Sequence, residues 1–91
     1  MSNQTGIIQS GEQSNLILDI NGILNNQAGQ IHGGANTQID ASSINNSQQG
    51  QISAQDALNV SSAGLVNNQA GTLVANKNVT LSSQGLNNNQ G

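Results

Sequence analysis

Residues able to carry acid-base or metal chemistry are few in this 91-residue sequence and lie far apart along it. The one histidine is His32, and the acids are Glu12, Asp19, Asp40 and Asp56. A general base or a metal site needs several such groups at one point. We expect the acids to fall in different columns of the fold and His32, which lies between two inward positions of an alternating pattern, to face solvent. The sequence therefore predicts no catalytic residue, no cofactor and no metal site.

Three further kinds of site are a nucleophilic serine, a calcium-binding loop and the acid of a polysaccharide-acting enzyme. Serines are plentiful, but a nucleophilic hydroxyl needs a base and an orienting acid beside it. The calcium-binding pattern G-G-x-G-x-D is missing, because Gly33 and Gly34 lead to Ala35 and Asn36. A polysaccharide-acting enzyme built on stacked β-coils stays as an alternative, with Asp40 or Asp56 as its acid. No aromatic residue is present to stack on a sugar.

The composition excludes other classes of function. Lys77 is the single basic residue of a chain with formal net charge −3, so nucleic acid is not an expected partner. Cysteine is absent, which leaves no disulfide and no thiolate zinc site. The opening residues 1–5 lack the design of a signal peptide, and no apolar run is long enough to span a bilayer. We expect no membrane insertion.

A repeat of about 21 residues is the element that must position every side chain. Like residues recur at this step in apolar, amide and glycine columns. The predicted core columns are Ile23, Ile44, Leu65 and Leu86; Ile31, Ile52 and Leu73; and Ile39, Val60 and Leu81. The predicted structural ladders are Asn25, Asn46, Asn67 and Asn88; Gln27, Gln48, Gln69 and Gln90; and Gly29, Gly50 and Gly71.

The repeat divides a single domain, residues 1–91, into units. Full repeats are predicted at 22–42, 43–63 and 64–84, and a partial repeat at 85–91. The stretch 1–21 fits less well, with about two extra residues, and is predicted to be an irregular first coil.

Apolar residues alternate within each unit, which is typical of a strand with one buried face. Three short strands are predicted in the first full unit, near 22–25, 30–33 and 37–41. Stacked coils pair each strand in parallel with its equivalent, and such crossovers are normally right-handed. The predicted fold is all-β, a right-handed parallel β-helix of about four coils, in which side-chain amides hydrogen-bond from coil to coil.

The strings carried by the repeat are similar to a known family. Ile-Leu-Asn-Asn-Gln-Ala-Gly-Gln-Ile at 23–31 and its copy Leu-Val-Asn-Asn-Gln-Ala-Gly-Thr-Leu at 65–73 resemble the filamentous haemagglutinin repeats of large bacterial exoproteins. The resemblance covers about residues 22–91 and is weaker before. It implies a β-helical shaft, export across the outer membrane by two-partner secretion, and a role in adhesion, biofilm formation or toxin delivery.

The leading hypothesis from the resemblance is a structural shaft segment of a secreted, cell-surface filamentous adhesin or contact-dependent inhibition exoprotein, without catalysis. The alternative is a self-assembling β-helical module that stacks end to end into an extracellular fibre, because unpaired strand layers at the ends of a coil stack favour further pairing. Expected partners are neighbouring repeats of the same or another copy, and host or bacterial receptors reached through the parent protein.

Overall fold

The computed structural model describes residues 1–88 as a parallel β-helix of about four stacked coils with no helix in that range. This confirms the all-β solenoid predicted from the repeat. The twelve strands are β1 Ile7–Gln9, β2 Leu16–Asp19, β3 Ile23–Asn25, β4 Gln30–Gly33, β5 Thr37–Ala41, β6 Ser43–Asn45, β7 Gln51–Ala54, β8 Ala57–Ser62, β9 Leu65–Asn67, β10 Thr72–Ala75, β11 Asn78–Ser82 and β12 Gly85–Asn87.

Each coil contributes one strand to each of three parallel sheets. The sheet orders are β1-β4-β7-β10, β2-β5-β8-β11 and β3-β6-β9-β12, so every strand pairs with its equivalent in the next coil. The strands of the first full unit, β3, β4 and β5, match the three predicted segments. Alternation explains these strands: in β8, Leu58 and Val60 are buried while Asn59 between them is exposed.

Two of the three predicted apolar columns run in register through the core. Ile31 pairs with Ile52, and Ile52 with Leu73. In the neighbouring sheet the same relation joins Ile39, Val60 and Leu81. Both columns begin in the first coil, with Ile8 and Leu18.

The third predicted column, Ile23, Ile44, Leu65 and Leu86, is wrong in two of its members. Ile23 is 59% exposed and Leu65 is 65% exposed, whereas Ile44 is 2% exposed. The column that the sheet forms is Leu24, Ile44, Val66 and Leu86.

A change of register explains this difference. Leu24 is aligned with a residue 20 positions later, and Ile44 with a residue 22 positions later. The corner between Ala41 and Ile44 is one residue shorter than the equivalent corners before β3 and β9, and the turn before Gly50 is one residue longer. Because strand side chains alternate with period two, an offset of one residue exchanges the inner and outer faces.

The first coil carries its additional length at one corner. Strands β1 and β4 align at an offset of 23 residues, while β2 and β5 align at 21. The two additional residues therefore lie between Gln9 and Leu16, where Gln13 adopts a positive φ of 63°. Strand pairing on either side of this corner is unaffected.

Candidate functional site

A single file of asparagine side chains crosses every coil of the described structure. Asn3 donates from Nδ2 to Oδ1 of Asn26 at 2.8 Å, and Asn26 donates in the same way to Asn46 at 2.7 Å. The file continues from Asn46 to Asn68 at 2.8 Å and from Asn68 to Asn88 at 2.7 Å. Asn26 and Asn46 are completely buried. We call these five residues the asparagine ladder.

The amides of Asn26 and Asn46 each use both of their hydrogens. The Nδ2 of Asn26 also donates to the carbonyl oxygen of Gln51 at 3.0 Å, and that of Asn46 to the carbonyl oxygen of Thr72 at 3.0 Å. Loss of such a partner by a buried amide lowers the free energy of unfolding by about 1 to 3 kcal/mol. Among residues 1–88 no buried side-chain nitrogen or oxygen lacks a hydrogen bond. The ladder therefore joins the ends of β3 and β6 to the starts of β7 and β10, the first-sheet strands of the next coil.

The predicted asparagine column of Asn25, Asn46, Asn67 and Asn88 is wrong because it mixes two columns. Asn25 and Asn67 belong to an outer column with Asn45. Their Oδ1 atoms accept hydrogen bonds from the backbone N–H two residues later, at 3.1 to 3.2 Å. This is the Asx turn that lets the chain leave the strand. The one-residue offset that misplaces Ile23 also misplaces these residues.

The predicted glutamine column is wrong as well. The backbone N–H of Gln48 donates to the carbonyl oxygen of Gln69 at 3.1 Å, so Gln48 lies level with Ala70. Gln48 and Ala70 also share the left-handed conformation, with φ of 54° and 58°. No side-chain hydrogen bond joins Gln27, Gln48 and Gln69 within residues 1–88; the turns stack through their backbones. Gln90 lies outside the described residues.

The glycine column lies directly beside the asparagine ladder. Gly29, Gly50 and Gly71 are all buried and each closes a turn that begins three residues earlier. A Cβ atom on Gly50 would lie 2.5 Å from Oδ1 and 2.9 Å from the carbonyl oxygen of Asn46. No described glycine has a positive φ, so the requirement at this column is space, not backbone conformation. The glycines allow successive asparagines to approach within hydrogen-bond distance.

A second use of asparagine was missed by the sequence analysis. Oδ1 of Asn15 accepts from the backbone N–H of Asn36 at 3.1 Å, and Oδ1 of Asn36 accepts from that of Ala57 at 3.1 Å. These bonds join adjacent coils at the corner before the second sheet. The available signal was the repeat itself, since each pair is 21 residues apart.

His32 lies on the outer side of β4 and is half-buried. Its Nδ1 is 2.7 Å from Oγ of Ser53 on the adjacent strand. It borders an open depression of about 370 Å³, whose lining residues are Ser10, Glu12, Gln13, His32, Gly34 and Gln55. Among the hydrogen bonds of residues 1–88, Ser53 is the partner of the imidazole and no carboxylate bonds to it.

The expectation that the acids lie in different columns is wrong for two of them. Asp19 and Asp40 are paired neighbours on β2 and β5 and both face outward. Asp56 lies elsewhere, with its Oδ1 at 3.9 Å from Nζ of Lys77 in an exposed ion pair. No group of three potential metal-ligating side chains occurs within residues 1–88. Asp19, Asp40, Asp56 and Lys77 therefore lie on the outside of the coils.

Residues 1–88 contain no helix that is long and apolar enough to span a membrane. A family model described as haemagglutinin repeat matches residues 2–64 and 60–91. Neither the curated proteins nor the solved structures contain a significant match.

Proposed function

Because the chain belongs to the haemagglutinin repeat family, we propose that it is a shaft segment of a secreted filamentous adhesin at a bacterial cell surface, without catalytic activity. The family is structural and adhesin-type, and its members are typically secreted cell-surface proteins. The proposal extends to export by two-partner secretion and to a parent protein that binds receptors or delivers a toxin by contact-dependent inhibition.

The asparagine ladder is the observation that carries this proposal. Its bonds, the glycine column and the apolar columns all run from coil to coil, and every buried side-chain nitrogen or oxygen among residues 1–88 has a hydrogen-bond partner. Buried amides that bond from coil to coil hold one repeat on the next, as a shaft requires. Stability in such a stack comes mainly from contacts between neighbouring repeats.

Coil deletion in the encoding bacterium tests the shaft role. Removing residues 46–67 deletes one whole coil in the frame of the ladder, so Asn26 would stack on Asn68 as it now does on Asn46. We expect the parent protein to remain on intact cells, as labelled by an antibody to the folded chain, and to keep adhering. Removing residues 46–56, half a coil, is the control and should abolish surface labelling.

Two outcomes would contradict the proposal. One is loss of adhesion with full surface labelling after the whole-coil deletion, which would make this coil a binding site and not a spacer. The other is hydrolysis of a polysaccharide by the purified chain that is lost in Asp40→Asn or Asp56→Asn. The second outcome would revive the enzyme alternative.

A further inference from the structure

Strand β9 begins a segment in which residues of the same kind stand next to each other, two apolar residues and then two asparagines. Val66 is completely buried, and Leu65 before it is 65% exposed. Asn68 is buried in the ladder, and Asn67 before it belongs to the outer column. Because strand side chains alternate, a slip of one residue would bring Leu65 into the core and Asn67 into the ladder. The side chains of this segment therefore satisfy two registers.

The structure contains the backbone geometry of both registers. The corner before β6 is short and the turn after β6 is long, whereas the corner before β9 is long and the turn after β9 is short. The two differences compensate, since Ala41 and Gly50 are as far apart in the sequence as their equivalents Ser62 and Gly71. Segment 62–71 can thus adopt the geometry of segment 41–50 without a change in its length.

Two effects that oppose each other separate the registers. The long turn holds Gln48 and Gln49 in the left-handed conformation, with φ of 54° and 70°, whereas the short turn holds Ala70 there, with φ of 58°. The left-handed conformation is unfavourable for residues other than glycine, which favours the short turn that follows β9. Burial of Leu65 in place of the smaller Val66 favours the long turn. This opposition brings the two registers closer in free energy.

Neighbouring strands lack this choice. In β6 the buried Ile44 has Ser43 before it and Asn45 after it, so a slip of one residue in either direction would bury a polar side chain. In β8 the buried Val60 also lies between two polar residues. A slip is therefore confined to strands with doubled residues, which are β9 and its counterpart β3.

We infer that β9 is a two-register strand, in which residues 65–68 slip by one position and exchange Val66 for Leu65 in the core and Asn68 for Asn67 in the ladder. Strands β6 and β12 pair with β9 on its two sides, so the inference does not depend on the ends of the stack. The exchange remakes the same pairing and presents a different apolar residue and a different amide on the outer face. The corner before β9 thus shortens by one residue while the core and the ladder stay closed. This conformational device goes beyond the proposed function and does not rest on it.

Cysteine labelling of the folded 91-residue chain tests the inference, because the sequence contains no cysteine of its own. Val66→Cys reports on β9, and Val60→Cys, the same substitution at a buried position of β8, is the matched control. Unfolding of the whole chain exposes both thiols, whereas the slip exposes only the thiol on β9. With iodoacetamide in native buffer, we expect Val66→Cys to be alkylated at least about tenfold faster than Val60→Cys.

A second substitution separates the slip from local fraying of β9. Leu65→Ser changes an exposed residue, but in the slipped register it would place a hydroxyl in the core. The double variant Leu65→Ser, Val66→Cys should therefore be alkylated as slowly as Val60→Cys, whereas fraying would expose its thiol as before. Circular dichroism verifies that each variant is folded.

Equal alkylation rates of Val66→Cys and Val60→Cys would overturn the inference, and so would a fast rate of Val66→Cys that Leu65→Ser leaves unchanged. Neither result bears on the whole-coil deletion, which measures surface labelling and adhesion. Failure of the two-register strand and failure of the shaft role are therefore distinguishable.

Discussion

Asn46 donates from Nδ2 to Oδ1 of Asn68 across 2.8 Å, although the residue one average repeat after Asn46 is another asparagine, Asn67. The asparagine that the ladder selects is the one that lies inside the coil. Corners and turns gain or lose one residue so that the buried amides remain aligned. The buried amides and the buried apolar residues Leu24, Ile44 and Val66 share this register, which a constant spacing of 21 residues does not give.

Asn46→Leu should destabilise the chain strongly. The substitution leaves the second hydrogen of Asn26 and Oδ1 of Asn68 without their partners, and both of these residues are buried. At about 1 to 3 kcal/mol for each buried group, we expect a loss of about 3 kcal/mol or more in the free energy of unfolding by urea. Asn59→Leu, at an exposed position, is the control and should change it by less than about 0.5 kcal/mol. Equal losses would show that the ladder contributes nothing specific.

The same substitution at two positions 21 residues apart tests the register. Ile44→Ala removes a buried side chain and should cost about 2 to 5 kcal/mol. Ile23→Ala truncates a side chain that is mostly exposed and should cost less than about 0.5 kcal/mol. Thermal or urea denaturation compares the two variants. Similar costs would restore the column of Ile23, Ile44, Leu65 and Leu86 and contradict the alignment described above.

Sequence reasoning reached the solenoid, its strands and two core columns because the period-two pattern around Ile52 and Val60 has one possible inner face. It failed where neighbours are chemically alike. Ile23 and Leu24 are both apolar, as are Leu65 and Val66, so the pattern cannot choose which of them is buried. The asparagine pairs pose the same problem: Asn25 and Asn26, Asn45 and Asn46, Asn67 and Asn68. Only the packed corner, with its changed length, makes the choice.

Gly50→Ala and Gly22→Ala should shift stability in opposite directions. At Gly50 the added Cβ would press on Oδ1 and the carbonyl oxygen of Asn46, and overpacking of this kind costs about 1 to 3 kcal/mol. At Gly22 nothing lies within 4 Å of the Cβ position and φ is not positive. There the alanine should stabilise by about 0.4 to 1 kcal/mol, because it restricts the unfolded chain. Chemical denaturation of both variants measures the two signs, and a stabilised Gly50→Ala would refute the close approach.

The outward carboxylates give an electrostatic test in which salt is the variable. Asp19 and Asp40 are direct neighbours on adjacent strands, and like charges in that position repel. Asp40→Asn should therefore raise the melting temperature at low ionic strength. Asp56→Asn removes the exposed ion pair with Lys77 and should leave the melting temperature unchanged or slightly lower. Since both effects act through solvent, they should fade towards 1 M salt, where the screening length is about 3 Å. A stabilisation by Asp40→Asn that persists in 1 M salt would show that the gain does not come from relief of this repulsion.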